Sequence, residues 1–207
     1  MMPAGDSGQE SGLDGHPDRL RWNARYAGSF KPSFAAHPLA ERIFGSLAMD
    51  LPDGPVADLA CGPSGTSLLA AANGRQVTAV DVSELALGML GGEARRQGLD
   101  RLITLVHADL ASWHPPPRSY ALVLCTGFWA PAVFTIAAGA VARGGLLGWE
   151  AFTAEARRAR PGLRPDWCLA TGEPASLLPA GFTLLDQHDL PDRERGTRRQ
   201  MLATRRR

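Results

Sequence analysis

The chain has 207 residues, of which 44% are hydrophobic and 21% are charged, and its formal net charge is +1. This length fits one α/β domain and leaves too little chain for a second full core. The balanced charge gives no general reason for attraction to nucleic acid or to a membrane surface. The three cysteines, Cys61, Cys125 and Cys168, form neither an even set for disulfides nor a pair at metal-ligand spacing. We therefore expect neither a disulfide framework nor a metal site.

The first 37 residues combine a polar segment with an aromatic one. Residues 1–18 are rich in Gly, Asp and Pro, which predicts a mobile tail followed by a single domain over residues 19–207. The tail lacks the apolar core of a signal peptide, and no stretch of the chain reaches membrane-spanning length, so we expect a cytoplasmic protein. Aromatic residues then recur at every fourth position, as Trp22, Tyr26, Phe30 and Phe34. This spacing is typical of one helix face or of an aromatic-studded arm.

Strand patterns and helix patterns alternate through the middle of the chain. The predicted strands cover residues 56–60, 76–82, 103–108, 120–125 and 146–152, and the predicted helices cover about 38–47, 66–72, 84–97 and 131–142. Parallel neighbours need crossover connections, so this alternation predicts a mainly parallel sheet with helices on both faces. The last two predicted strands, residues 182–190 and 198–206, indicate an antiparallel hairpin at the end of the sheet.

The turn after the first predicted strand is a candidate ligand site. It reads Asp58-Leu59-Ala60-Cys61-Gly62-Pro63-Ser64-Gly65 and leads into a predicted helix. A strand, a tight turn of small residues and a helix N-terminus form a cradle where a ligand can approach the backbone. Asp58 would repel the pyrophosphate of a dinucleotide but attract the ammonium group of S-adenosylmethionine. The turn also lacks the G-x-G-x-x-G spacing of dinucleotide sites and the lysine of a P-loop.

Polar or small residues also end the next three predicted strands. Asp81 ends the second strand, 23 residues after Asp58, where a carboxylate can accept both hydroxyls of a ribose. Asp109 follows the third strand, where it could accept the exocyclic amine of an adenine. Cys125 and Thr126 end the fourth strand at the crevice where open α/β sheets bind ligands. Each aspartate has an alternative role, since Asp commonly ends strands and caps helices.

These segments resemble the successive motifs of the class I S-adenosylmethionine-dependent methyltransferases, over about residues 56–152. The matching stretches read VADLACGPSGTSLLAA, VTAVDVSELAL, HADLASW, YALVLCTGFW and VARGGLLGWEAFT. The resemblance implies a three-layer, Rossmann-like fold whose seven-stranded, mostly parallel sheet has an antiparallel C-terminal hairpin. It also implies S-adenosylmethionine as the cofactor. Ala60 and Ser64 depart from the family pattern, since glycines are usual there, and Gly65 is displaced by one position.

The same resemblance assigns cofactor-binding residues. Asp58, Ala60 and Gly62, with Cys61 between them, would hold the methionine moiety. Asp81 and Val82 would hold the ribose and the adenine. The adenine pocket would be lined by Ala108, Asp109 and Leu110, and Cys125 and Thr126 would lie near the reacting end.

A narrower resemblance concerns the N-terminal arm. Residues 21–26 and the strand end at residues 149–152 are similar to small-molecule methyltransferases of the tellurite-resistance and thiopurine type. In that interpretation Trp22 and Tyr26 belong to a lid over the cofactor, and Tyr26 contacts it. The alternative is that both rings simply pack on the sheet.

Methyl transfer from a sulfonium needs alignment and exclusion of water more than acid–base groups. We therefore assign no catalytic residue and no metal. His37 is either a general base or a helix-entry residue before Pro38. Phe128 and Trp129 either wall an acceptor pocket or pack in the core. Three arginines after the fifth strand either receive an anionic substrate or lie in a solvated loop: Arg157, Arg158 and Arg160.

The expected acceptor is a small molecule. The Asn/Asp-Pro-Pro-aromatic sequence of many nucleic-acid amino methylators does not follow the fourth strand, and no long basic face carries interleaved aromatics. We expect a monomer or a homodimer without nucleic-acid or membrane partners. Two alternatives stay open: a non-catalytic S-adenosylmethionine-binding module and a nucleotide-dependent oxidoreductase. Asp58 and the terminal hairpin argue against the oxidoreductase.

Overall fold

The computed structural model describes residues 12–47 and 51–207. Residues 1–11, most of the predicted tail, lie outside these ranges. The described part of the tail consists of a turn followed by the start of a helix at Pro17.

Seven strands form one sheet. They are β1 (Val56–Leu59), β2 (Val77–Asp81), β3 (Ile103–His107), β4 (Tyr120–Thr126), β5 (Val141–Phe152), β6 (Phe182–Leu190) and β7 (Arg198–Arg205). Their spatial order is β3-β2-β1-β4-β5-β7-β6. The first five strands run parallel, whereas β7 is antiparallel to both β5 and β6. This arrangement confirms the predicted Rossmann-like methyltransferase sheet with its antiparallel C-terminal hairpin.

Within residues 12–47 and 51–207, five α-helices connect and cover the strands. They are α1 (Pro17–Tyr26), α2 (Pro38–Ser46), α3 (Thr66–Ala72), α4 (Glu84–Arg96) and α5 (Pro131–Ala140). Short 3₁₀ helices lie at Asp100–Leu102, Ala154–Arg158, Pro165–Trp167 and Ala175–Leu177. None of the helices within the described ranges is both long enough and apolar enough to cross a bilayer.

Helix α4 forms although it contains three glycines, which lower helix propensity. Ser83 caps it, because its Oγ accepts a hydrogen bond from the amide of Ala86 at 3.1 Å. A Cβ on Gly91 would lie 2.8 Å from Leu105 Cδ1, so this glycine lets the helix pack closely against β3. Tertiary packing thus compensates at that position for weak propensity.

The fifth strand begins earlier than predicted. The helix before it ends at Ala140, and β5 starts at Val141 rather than at residue 146. Val141 pairs with Tyr120, and the register then shifts so that Leu146 pairs with Leu122. A Cβ on Gly145 would lie 2.8 Å from the carbonyl oxygen of Ala121. Gly145 therefore lies at a bulge inside the strand, where two backbones approach closely.

The hydrophobic core lies on both faces of the sheet. One face packs against α5 through Trp149 and Phe134, whose ring centroids are 5.2 Å apart. The other face packs against α2, α3 and α4, with Leu39 and Ile43 fully buried. All four residues of β1 are buried because the strand is covered on both sides. Strands β1 and β4 are neighbours in the sheet. After β1 the chain continues to β2 on one side, and after β4 it continues to β5 on the other side, so a crevice forms at the carboxyl ends of β1 and β4.

Candidate functional site

A cavity of about 740 Å³ opens at the carboxyl ends of β1 to β4, beneath α1. Ten of the twelve residues predicted to contact the cofactor line it: Tyr26, Ala60, Cys61, Gly62, Asp81, Val82, Ala108, Asp109, Leu110 and Thr126. Asp58 and Cys125 are not among the lining residues. The strand ends therefore bring most of the predicted site together in one place.

The turn after β1 is held in a left-handed conformation at two positions. Gly62 has φ +54°, which glycine adopts without strain, and a Cβ there would lie 3.3 Å from Tyr26 Oη. Ala60, at a position where the family usually has glycine, has φ +49°. Ala60 thus adopts a backbone conformation that favours glycine, and its small side chain keeps the turn open.

The displaced glycine, Gly65, has a different structural role. The extended segment before α2 crosses the turn, and Gly65 donates its amide hydrogen to the carbonyl oxygen of Ala35 at 3.0 Å. A Cβ on Gly65 would lie 1.9 Å from the carbonyl oxygen of Phe34. Only glycine permits this crossing, so Gly65 couples the N-terminal segment to the ligand-facing turn.

Asp81 joins this turn to the start of α4. Its Oδ2 accepts a hydrogen bond from the amide of Gly62 and its Oδ1 accepts one from the amide of Ser83, both at 2.8 Å. Burial raises the pKa of Asp81, and these amide donors act in the opposite direction. Each carboxylate oxygen has a second lone pair, so Asp81 can still accept hydroxyl donors from the cavity.

Asp58 lies beneath the turn rather than on the cavity surface. It is 2% exposed, and its Oδ2 accepts a hydrogen bond from Ser67 Oγ at 2.7 Å. Burial, with a further contribution from nearby Asp81, raises the pKa of Asp58 to about 6. Any influence of this carboxyl on a ligand therefore acts through the turn.

Cys125 faces the α5 side of the core instead of the cavity. Successive side chains of a strand point to opposite faces, and Cys125 is fully buried with Trp149 and Phe134. Burial raises the pKa of its thiol well above the usual value, so the thiolate is disfavoured. Thr126, Gly127 and Phe128 line the cavity at this strand end.

The third strand end is also fixed by hydrogen bonds. The amide of Ala108 donates to the carbonyl oxygen of Asp81 at 3.1 Å, which aligns the two neighbouring turns. Asp109 accepts a hydrogen bond from the amide of Ala111 with Oδ1, while its Oδ2 lies 3.7 Å from Nε2 of His16. His16 also lines the cavity, at the start of α1. No local sequence pattern indicated this contact.

Helix α1 covers the cavity and is anchored to α4. Arg19 donates two hydrogen bonds to Glu84, at 2.9 and 2.6 Å, and this guanidinium lowers the pKa of Glu84 to about 2. Trp22 and Tyr26 stack with their ring centroids 5.7 Å apart, and both line the cavity. Burial raises the pKa of Tyr26 to about 12, so its hydroxyl stays protonated. This placement favours a lid over the alternative of simple packing on the sheet.

The other side of the cavity is formed by the long segment after β5. Its lining residues include Phe152, Arg160, Leu163 and Trp167. The guanidinium of Arg21 lies 4.2 Å from the ring centroid of Trp167 and 5.0 Å from that of Trp22, so it bridges this segment to α1. Sequence reasoning missed Phe152 and Trp167. The only available signal was a long, strandless stretch directly after the carboxyl end of a strand.

His37 does not line the cavity and has no free ring nitrogen. Its Nδ1 accepts a hydrogen bond from the amide of Leu39 at 3.2 Å, as the N-cap of α2. Its Nε2 lies 3.2 Å from Glu150 Oε1, so the tautomer with a proton on Nε2 satisfies both contacts. Glu150 in turn contacts Gln200 and Arg198, at 2.9 Å each. This geometry favours the helix-entry role of His37 over general-base catalysis.

Comparisons with known proteins agree with this geometry. Residues 56–145 match the model of a family described as a methyltransferase domain. No curated protein matches the chain. Solved structures with the same fold include the magnesium protoporphyrin IX methyltransferase of Synechocystis PCC 6803 with bound S-adenosylhomocysteine. It has 20% identity and a TM-score of 0.65, covering 91% of this chain and 93% of that one.

Two further solved structures are similar in fold. An S-adenosylmethionine-dependent methyltransferase from Clostridium acetobutylicum ATCC 824 has 14% identity and a TM-score of 0.65, covering 81% of this chain and 91% of that chain. The geranyl diphosphate C-methyltransferase of Streptomyces coelicolor A3(2) has 14% identity and a TM-score of 0.62, covering 81% and 76%. At these identities the likeness establishes the shared fold.

The fold is that of the class I S-adenosylmethionine-dependent methyltransferases. The match of residues 56–145 to a methyltransferase-domain family agrees with this fold and supports, over that segment, the resemblance to these enzymes. The narrower resemblance to the tellurite-resistance and thiopurine type is not supported by these matches and stays a prediction.

Proposed function

We propose that the protein transfers a methyl group from S-adenosylmethionine to a small-molecule acceptor, and that the two molecules occupy opposite halves of one cavity. The observation that carries this proposal is the division of the lining residues. The turns after β1, β2 and β3 supply backbone and carboxylate groups, whereas Phe128 and the segment after β5 supply aromatic rings and an arginine. We call these the cofactor half and the acceptor half.

The residues of the cofactor half fit S-adenosylmethionine. In our assignment Ala60, Cys61 and Gly62 hold the methionine moiety, with Asp58 acting from beneath the turn. Asp81 accepts the ribose hydroxyls through the lone pairs left free by its two amide contacts. Val82, Ala108, Asp109 and Leu110 surround the adenine, and Tyr26 covers the ligand from α1. Gly62, in its left-handed conformation and without a side chain, lets such a ligand come close to the backbone of the turn.

Alignment and exclusion of water are the catalytic contributions of this chain. When bound, the cofactor would supply an electrophilic methyl group: the acceptor's lone pair would attack this carbon in line with the carbon–sulfur bond, and the electron pair of that bond would go to the departing sulfur. Thr126 and Gly127 lie at the junction of the two halves and position the reacting atoms. The roof formed by α1 and the segment after β5 excludes water. Neither Thr126 nor Gly127 is a general base, so this junction suits an acceptor, such as a thiol, that ionises without one.

The size and enclosure of the cavity support a small acceptor. Small-molecule pockets typically measure about 300–1,000 Å³, and this cavity holds about 740 Å³ for both ligands together. The Arg21 guanidinium contacts the rings of Trp22 and Trp167, and these contacts close one side of the cavity. Structural relatives named for magnesium protoporphyrin IX and geranyl diphosphate also act on small molecules. The predicted cytoplasmic location and the monomeric or homodimeric state stay predictions.

Two measurements test the proposal. In a thermal-shift comparison, S-adenosylmethionine and S-adenosylhomocysteine should raise the melting temperature, since a ligand at 100 times its Kd stabilises by about 2.7 kcal/mol. Stabilisation by NAD alone would overturn the cofactor assignment. Transfer from a donor with a labelled methyl group to a panel of thiols, phenols and amines then tests catalysis. Cofactor binding with no transfer to any acceptor class would favour a non-catalytic binding module.

A further inference from the structure

The charged groups that line the cavity are unequally paired. Asp18 forms an ion pair with Arg21 at 3.2 Å, and Asp109 faces His16 at 3.7 Å. Asp81 accepts hydrogen bonds from two backbone amides. Within residues 12–47 and 51–207, the lining arginines Arg25 and Arg160 have no carboxylate at ion-pair distance. Arg25 and Arg160 are therefore available to pair with an anionic ligand.

Arg160 is held at the mouth of the acceptor half. Its amide donates to the carbonyl oxygen of Ala156 at 2.9 Å, and its own carbonyl oxygen accepts from the amide of Leu163 at 2.9 Å. The guanidinium lies 4.8 Å from the ring centroid of Phe152. The Arg160 side chain is exposed, and its contact with the Phe152 ring places the guanidinium at the mouth of the cavity. An arginine held in this way presents a planar set of donors that matches a carboxylate or phosphate.

The neighbouring arginines do not share this position. Arg157 donates from Nε to the carbonyl oxygen of Leu163 at 3.1 Å and does not line the cavity. Arg158 is exposed, as Arg160 is, but it lies outside the lining. The structure therefore separates one cavity-facing arginine from two others in the same short segment, which the sequence pattern could not do.

Aromatic rings form the remaining wall of the acceptor half. Phe128, Phe152 and Trp167 line the cavity and are only half-buried. Arg160 contacts the ring of Phe152, and Arg21 and Arg164 contact that of Trp167, so Phe128 and the uncovered surfaces of the other two rings are available to a ligand. Aromatic surface of this kind favours a flat, apolar ligand body, because planar rings stack on it. The combination is a flat apolar wall with an arginine at its outer edge.

We infer that the methyl acceptor is an anionic molecule with a planar apolar body. Its carboxylate, or another oxyanion, pairs with the Arg160 guanidinium, and its body stacks against Phe128, Phe152 and Trp167. This inference rests on the proposed function, because it assumes that the acceptor occupies this half of the cavity. Arg25, on α1, adds positive charge across the mouth.

The test measures binding to the complex with S-adenosylhomocysteine, so that it does not require the true acceptor. Aryl carboxylates of one and two rings and their neutral carboxamides are titrated into this saturated complex by calorimetry. We expect at least one carboxylate to bind about tenfold more tightly than its carboxamide. In Arg160→Gln this preference should fall to about twofold or less, whereas Arg158→Gln, a variant of the same segment and charge, should retain it.

The outcomes separate this inference from the proposed function. If S-adenosylhomocysteine itself fails to bind, the proposed function fails. If it binds, and the carboxylates bind no better than the carboxamides or do not bind at all, only the anionic-acceptor inference is contradicted. A preference that Arg160→Gln leaves unchanged would also contradict it. Reversal of the preference in Arg160→Glu would support it further, because the charge at the mouth is then inverted.

Discussion

The two halves of the cavity are built by different means. In the cofactor half, short turns at strand ends are fixed by main-chain hydrogen bonds, as where the amides of Gly62 and Ser83 both donate to Asp81. In the acceptor half, side chains such as Phe152 and Trp167 come from a long segment with only short 3₁₀ turns. Geometry set by the sheet suits a ligand common to a whole family, whereas loop side chains suit a ligand particular to one member.

Asp81→Ala should break the cofactor half with the largest effect. The substitution removes the proposed ribose contact and leaves the amides of Gly62 and Ser83 without their acceptor, which also loosens the turn. We expect the Kd for S-adenosylhomocysteine to rise at least about 100-fold, or about 2.7 kcal/mol, in titration calorimetry. Circular dichroism should show a retained fold. Unchanged affinity would remove Asp81 from the site.

Asp58→Asn should change the pH dependence of stability. Burial raises the pKa of Asp58 to about 6, above its ordinary value of 3.8, so the folded protein binds this proton more tightly than the unfolded chain does. The contribution of Asp58 to the free energy of unfolding therefore falls as pH rises between these values, by about 3 kcal/mol in total. The asparagine variant should gain that amount relative to the parent between about pH 3.5 and pH 7.

Urea unfolding at several pH values measures this difference. The exposed Asp53→Asn variant is the matched control and should show no such gain. The same Asp58→Asn variant should bind the cofactor more weakly, because the buried negative charge beneath the turn is lost. A parent and variant with parallel stability curves would contradict the buried, proton-binding state of Asp58.

Gly65→Ala tests the coupling between the N-terminal segment and the cofactor half. Its Cβ would lie 1.9 Å from the carbonyl oxygen of Phe34, so the crossing segment has to move. We expect a loss of about 2 kcal/mol in the free energy of unfolding, in the range of overpacking substitutions. Gly88→Ala is the control, since a Cβ there meets no atom within 4 Å and should instead stabilise α4 by about 0.5–1 kcal/mol. Equal effects of the two substitutions would refute the close crossing.

Arg21→Gln should have the smallest effect, confined to the roof of the acceptor half. Loss of the guanidinium between Trp22 and Trp167 removes cation–π contacts worth about 0.5–1 kcal/mol. Amide hydrogen exchange of residues 154–167 should therefore accelerate about two- to fivefold, with little change in affinity for S-adenosylhomocysteine. Arg164→Gln is the control, because Arg164 contacts Trp167 from the same segment. Faster exchange in the control alone would contradict the bridging role of Arg21.

The sequence predicted the cofactor half better than the acceptor half for a physical reason. Parallel strands end at the same edge of a sheet, so Asp81 and Asp109 could be placed together from strand patterns alone. Asp58 was harder to place, because a strand buried on both faces carries no alternation that reveals which side chains face the ligand. Arg160 and Trp167 lie in a segment without periodicity, and only the folded chain brings them to the cavity.

Two glycine-containing patterns also had meanings that sequence alone did not reveal. Gly65 looked like a shifted member of the ligand-binding turn, whereas it makes room for the backbone at Phe34. Gly145 lies just outside the predicted fifth strand, whereas in the structure it is part of β5, at a bulge against the backbone of Ala121. Both roles depend on contacts between segments distant in sequence, which local patterns do not encode.

A crystal structure of the complex with S-adenosylhomocysteine tests the central claim most directly. The account predicts the ribose at Asp81, the adenine between Val82 and Leu110, and the sulfur directed toward Thr126, with the space beside Phe128 and Trp167 left for an acceptor. A ligand whose adenosine lies against Phe128 and Trp167, or outside the cavity, would contradict it.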